Sequence, residues 1–233
     1  MIKGVYKFAD CAVEIISTYK EIHLISKKYS CDVAPEFYIS VSDEDIIYER
    51  SLATVDSTDG YLETLAVIRK LSELLIETGV LLFHGSALCL DGVGYIFSAK
   101  SGTGKSTHTA LWKQVFGDKV TIINDDKPFI KVCGNSAYVY GSPWDGKHHL
   151  SSNTNAPLKK ICFINRSNEN YITKRSAVDV YHRIFQQTYK PKDKELLEKT
   201  VQLISNLCNL VDFYELGCNT DPEAAIVAFN GMK

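Results

Sequence analysis

Hydrophobic and polar positions follow two different periods along this chain. In residues 58–79, TDGYLETLAVIRKLSELLIETG, the apolar residues Leu62, Leu65, Ala66, Ile68, Leu71, Leu74 and Leu75 recur every three or four positions. That spacing predicts an amphipathic helix ended by Gly79. Further on the apolar runs shorten. VLLFHGSALCL and GYIFSA flank Asp91 and Gly92, a dipeptide that predicts a tight hairpin, and FIKVC and SAYVY flank Gly134 and Asn135 in the same way. VTIIN and KICFIN read as short buried strands. A helix is predicted from the glycine-rich segment through KSTHTALWKQVF to Gly117, and two more in SAVDVYHRIFQQTY and DKELLEKTVQLISNL. Residues 1–55 carry short runs such as EIHLISKKY and EFYISV, which suggest strands.

A doubly wound sheet needs a helical crossover between successive parallel strands, and this order of elements does not supply them. The expected fold is therefore α/β of an α+β-like kind, a mixed, hairpin-rich sheet flanked by helices. The expected organisation is an N-terminal β-rich portion, 1–55, and a core, 56–233, forming one compact unit.

Composition narrows the function classes. With 45% hydrophobic and 23% charged residues the chain has an ordinary globular make-up. Its net charge is −2 and its basic residues are scattered, which argues against nucleic-acid binding. No apolar stretch is long enough to span a membrane, and MIKGVYKFADCAVEI has charges where a signal peptide needs an apolar core, so a cytoplasmic location is expected. The seven cysteines form no C-x-x-C pair, which leaves zinc without support and suggests reduced thiols packed as small apolar groups.

The chemistry concentrates in residues 99–107, AKSGTGKST, a phosphate-loop pattern with Ala99 where the first glycine usually stands. Ser101, Gly102, Thr103 and Gly104 would curl the backbone so that N–H groups point at phosphate oxygens, and the following helix N-terminus would add its own. Lys105 would reach the β- and γ-phosphates, Ser106 would bind magnesium, and Thr107 completes the pattern. Asp125 and Asp126 follow at the end of VTIIN. Paired carboxylates there suit phosphoryl transfer, one to hold magnesium and one to take a proton.

FHG ahead of SGTGKST, followed by NDDKP, resembles the HPr kinase/phosphorylase and ATP-dependent phosphoenolpyruvate carboxykinase superfamily. The likeness is strongest to its small, stand-alone kinase-like members, through SGTGKSTHTALW and GSPWDGK. The resemblance implies a P-loop inserted in a mixed sheet of that type, with ATP and Mg²⁺ as cofactors. It also implies that His84 lies beside an acceptor hydroxyl, that Asp126 is the general base and that Asp125 helps hold the metal. No counterpart of the bifunctional enzyme's glycine- and arginine-rich signature is present, and the chain is too short for a full carboxykinase.

The expected function is ATP-dependent transfer of a γ-phosphoryl group to a hydroxyl, on a small molecule or on a serine of a peptide or protein. The alternatives are a carboxykinase-type lyase and a nucleotide-dependent binding module without transfer chemistry. Lys147, ending the Pro- and Gly-rich segment, could neutralise the transferring phosphoryl group. Arg166 could be a charge clamp or a surface pair, while His108 and Trp112, one helical turn apart, are explained by packing. Neither the acceptor nor the oligomeric state is legible.

Overall fold

The computed structural model describes all residues from Met1 to Lys233. They divide into two compact units, Met1–Thr78 and Gly79–Lys233, so the boundary falls after the long helix rather than at residue 55.

In the first unit β1 (Ile2–Phe8) and β2 (Cys11–Ser17) form an antiparallel hairpin, and β3 (Phe37–Ser40) pairs parallel to β2. Three helices accompany this sheet: α1 (Glu21–Ile25), α2 (Asp43–Leu52) and α3 (Asp59–Ile76). EIHLISKKY is thus not a strand. It forms α1 and a short 3₁₀ turn, because Ile22 is buried and both ring nitrogens of His23 are tied down, to the Tyr6 hydroxyl at 2.7 Å and the Ser17 hydroxyl at 2.8 Å. Such tertiary contacts readily override strand preference. α2 starts at a capping box in which the Ser42 hydroxyl accepts from the Asp45 N–H and the Asp45 carboxylate accepts from the Ser42 N–H. In α3 the expected apolar face is broader than drawn. Val67 and Ile76 are buried with Leu62, Ala66, Ile68, Leu71 and Leu75, whereas Leu65 and Leu74 are only half-buried.

The second unit is built on one mixed sheet. Its strands are β4 (Val80–Leu82), β5 (Ser86–Leu90), β6 (Val93–Ser98), β7 (Val120–Asn124), β8 (Phe129–Cys133), β9 (Ser136–Tyr140), β10 (Asn155–Arg166), β11 (Tyr171–Arg175) and β12 (Asp212–Cys218). The path runs β4-β8-β9-β10-β6-β5-β7, and β12 joins β11 to β10. Only β6–β10 and β10–β12 are parallel; the other pairings are antiparallel. Both expected hairpins are present, β5–β6 with Asp91 and Gly92 at positive φ, and β8–β9.

Alternation along β6 and β10 sends side chains to opposite faces. Ile96, Ile161 and Phe163 join a core with Ile184 of α5 (Ala177–Gln187) and Ile204 of α6 (Lys194–Cys208). Tyr95, Phe97, Cys162 and Ile164 join a second core with Trp112 of α4 (Lys105–Phe116) and Ala225 of α7 (Glu223–Gly231). β12 and α7 lie beyond the two helices expected to end the chain. DFYELGC is a strand because its alternate residues reach both cores, with Phe213 in the first and Tyr214 and Leu216 in the second. The cysteines are all free thiols, and no helix is long and apolar enough to cross a membrane.

Candidate phosphate-loop site

The segment after β6 turns out of the sheet at Ala99 and re-enters regular structure at Lys105, the first residue of α4. Gly104, the residue before the helix, has φ 123°, a backbone conformation closed to side chains with a Cβ. The loop carries its own tie, from the Thr103 N–H to the Lys100 carbonyl. Lys105 is buried, and its ammonium folds back to donate to the Ala99 carbonyl at 3.1 Å. Burial pulls the Lys105 pKa below the usual lysine value, opposed by the negative charges of Asp126 and Asp125. Ser106 sits half-buried and Thr107 exposed on the first turn of α4.

Arg166, at the end of β10, pins this loop from outside. Its Nη2 donates to the Gly102 carbonyl at 2.6 Å and its Nε to the Thr103 carbonyl at 3.2 Å. Its partners in the structure are thus loop carbonyls and not a surface carboxylate. Two loop carbonyls engaged on a guanidinium are fixed in direction, and the peptide planes they belong to are fixed with them.

His84 does not stand on a strand. VLLFHGSALCL splits into β4, which pairs with β8, and β5, which pairs with β6. The residues between are held by separate elements: Phe83 N–H donates to the Pro128 carbonyl at 3.0 Å, His84 N–H to the Gln187 carbonyl at 2.8 Å and Gly85 N–H to the Asp126 carbonyl at 3.0 Å. Gly85 is required by space, since a Cβ there would lie 3.0 Å from the Phe97 carbonyl oxygen. The side chain of His84 ends up with Nδ1 at 2.7 Å from Gln187 Oε1 and Nε2 at 3.5 Å from Asp126 Oδ1. Burial first, then the nearby Lys105 charge, lowers the His84 pKa, against the pull of Gln187 and Asp126. The ring is therefore neutral near pH 7. With its proton on Nδ1, directed at Gln187 Oε1, Nε2 turns a lone pair towards Asp126.

The acid pair follows β7 in a turn built by Asn124, which is fully buried. Asn124 Oδ1 accepts from the Asp126 N–H at 2.8 Å and the Lys127 N–H at 2.7 Å, while its amide donates to the Ser142 carbonyl at 3.0 Å and hydroxyl at 3.1 Å. This turn sends the two carboxylates different ways. Asp125 is buried and accepts from the Ser86 hydroxyl at 2.7 Å. Asp126 is partly open, with Lys127 Nζ 2.9 Å from its Oδ2. The GSPWDGK segment passes directly over the pair, for a Cβ on Gly146 (φ 72°) would lie 3.3 Å from Asp126 Cβ. Lys147, the next residue, is exposed. His149 leans on Asp145 at 3.1 Å, and no group of three or more His, Cys, Asp or Glu side chains assembles a metal cage.

No family model matches this chain, and no curated protein does. Among solved structures it is similar to the HPr(Ser) kinase/phosphatase from Coxiella burnetii. The two are 12% identical with a TM-score of 0.31, over 54% of this chain and 89% of that one. A likeness so low carries no weight for function, which must come from the side chains themselves.

Of the residues singled out in the sequence, His84, Lys105, Asp125 and Asp126 interact directly or through their charges. Lys147 is adjacent by chain alone. Ser86, Asn124, Lys127 and Gln187 were not foreseen. Asn124 and Lys127 flank the acid pair in NDDKP, where an asparagine before a turn is a recognisable signal. Gln187 and Ser86 gave no local signal.

Proposed function

We propose that the protein is an ATP-dependent phosphotransferase that passes the γ-phosphoryl group to a hydroxyl, on a small molecule or on a serine of a peptide or protein. The observation that carries this reading is the approach of His84 Nε2 to within 3.5 Å of Asp126 Oδ1, within the field of Lys105. Both side chains are partly open to solvent, so an incoming hydroxyl can reach the Asp126 carboxylate beside the ring. A binding module without transfer chemistry has no need of that arrangement.

In this reading the N–H groups of residues 101–107 hold the triphosphate, and Lys105 swings from the Ala99 carbonyl to the β- and γ-phosphate oxygens. The acceptor oxygen attacks the γ-phosphorus, the bond to the bridging oxygen of ADP breaks, and the hydroxyl proton passes to Asp126, with His84 orienting the hydroxyl. Lys147 would approach the transferring group from the segment above. Ser106 and Asp125 are oxygen donors of the kind magnesium takes, and that ion draws its other ligands from phosphate and water, so a complete protein cage is not required. Bound there, magnesium would neutralise charge on the phosphate oxygens.

The test uses magnesium, γ-labelled ATP and a panel of hydroxyl acceptors. Asp126→Asn should lower transfer by about 10²–10⁴-fold, the usual contribution of a general base, while keeping nucleotide binding. Lys105→Ala should abolish transfer. Full transfer by Asp126→Asn would sink the base assignment, and oxaloacetate consumption with no labelled acceptor would point to lyase chemistry instead.

A further inference from the structure

The His84 ring has two oxygens beside it, and they compete for one proton. Gln187 Oε1 lies 2.7 Å from Nδ1, and Asp126 Oδ1 lies 3.5 Å from Nε2. The first distance is that of a short N–H···O bond, and the second is longer than such bonds run. In a neutral ring the bond made by one nitrogen fixes the state of the other. Gln187 therefore takes the proton at Nδ1, and the Asp126 side of the ring keeps a lone pair.

Gln187 is the last residue of α5, and the chain around it runs antiparallel to the break that holds His84. His84 N–H donates to the Gln187 carbonyl at 2.8 Å and Tyr189 N–H to the Leu82 carbonyl at 2.9 Å, with a bridge between Phe83 and Thr188 in the middle. The Thr188 hydroxyl donates to the Ile184 carbonyl at 2.9 Å and Lys190 Nζ to the Gln186 carbonyl at 3.2 Å, which closes the end of the helix. Backbone groups and neighbouring side chains make all of these bonds. The side chain of Gln187 makes one hydrogen bond, and it goes to His84. A purely structural residue at this place has no need of that amide.

We propose that Gln187 is a positioning residue for His84: it draws the ring proton to Nδ1 and so leaves Asp126 Oδ1 free for the hydroxyl of the acceptor. The proposal rests on the phosphotransferase reading and adds to it the residue that sets the state of the ring. Without the Gln187 oxygen, Asp126 is the partner that remains to the ring. The proton then moves to Nε2 and is directed at Oδ1, the oxygen that is to take the hydroxyl proton. Gln187 also lines a cavity of about 550 Å³ shared by the glycine-rich loop and α5, so direct contact with a bound molecule is the rival role.

The experiment pairs Gln187→Leu, which keeps the size and removes the oxygen, with Gln187→Glu, which keeps an oxygen there. Both are made in the full chain and measured at about pH 8, above the ordinary histidine range. Nitrogen NMR of the His84 ring shows which nitrogen carries the proton, and transfer from γ-labelled ATP to a panel of hydroxyl acceptors gives kcat and KM. The proton should sit on Nδ1 in the wild type and in Gln187→Glu, and on Nε2 in Gln187→Leu. Gln187→Leu should lose about 10–100-fold in kcat, the loss that follows when a functional histidine is deprived of its orienting partner, while KM holds and Gln187→Glu keeps most of the rate. A proton on Nε2 in the wild type would overturn the proposal, as would one that stays on Nδ1 in Gln187→Leu. Equal loss of kcat in both variants would reduce the role to fit, and a raised KM with kcat kept would make Gln187 a ligand contact; either overturns it. A wild type that labels no acceptor would defeat the phosphotransferase reading, and the ring measurement would still decide whether Gln187 places the proton.

Discussion

Replacing Asn124 by alanine removes the residue that shapes the acid-pair turn, and the structure sets the size of the loss. Its amide group makes four close hydrogen bonds: two accepted from the Asp126 and Lys127 N–H groups, and two donated to the carbonyl and hydroxyl of Ser142. At about 1 kcal/mol net for each bond, the group contributes on the order of 4 kcal/mol. One loss is softened, because the Lys127 N–H also reaches the Trp144 carbonyl at 3.2 Å. The expected destabilisation is therefore about 3 kcal/mol, which at a urea dependence of about 1–3 kcal/mol per molar moves the midpoint down by roughly 1–3 M. Ser142→Ala, which removes only the hydroxyl from this network, should cost about a third as much. Urea unfolding followed by circular dichroism measures both. A loss below about 1 kcal/mol for Asn124→Ala would refute the view that this one side chain holds the turn.

Two further predictions concern pH and backbone space. Burial holds His108 at about 4 in the folded protein, below the unfolded value near 6.5, so the unfolded state takes up the proton first as pH falls. Stability should be complete above about pH 6.5 and decline by up to about 3 kcal/mol towards pH 4; denaturant midpoints across that range, compared with those of His108→Gln, would show it, and an equally steep decline in the variant would count against it. Gly146→Ala should lower stability by about 1–2 kcal/mol, the penalty of a Cβ at positive φ, and should disturb transfer more than nucleotide binding because its new methyl presses on Asp126. Unchanged transfer kinetics in that variant would show that the covering segment can shift without consequence.

The order of strand, glycine-rich turn and helix was legible because its signal is local. A strand-like run, a Gly-x-Gly-Lys-Ser sequence and an apolar helix lie side by side, and β6, residues 99–104 and α4 follow that order. The two hairpins were legible for the same reason. The break at His84 was not, since FHG continues the apolar run and the strand ends only because Pro128, Gln187 and Asp126 capture its N–H groups. Arg166 was visible as a charge at a strand end, but its partners on the loop were not. In the first unit, α1 looked like a strand because its short apolar run fits either element, and the contacts that decide it come from Tyr6 and Ser17. β12 was missed because Asp212 and Glu215 interrupt its apolar pattern. The structure pairs Asp212 with Lys160 at 2.7 Å, and Glu215 with Arg175 at 2.6 Å and Arg183 at 3.2 Å.

The pairing of β6 with β10 has a consequence for the order of assembly. The strand that leads into the glycine-rich loop has its parallel neighbour on the far side of α4, β7, β8 and β9 in sequence, and the Arg166 that pins the loop is the last residue of that neighbour. Closing so long a connection carries an entropic cost that only the finished pairing offsets. On a growing chain the glycine segment is therefore synthesised well before Arg166 can hold it from outside. Until residue 166 has emerged and docked, the nascent protein carries residues 99–104 with only their internal ties.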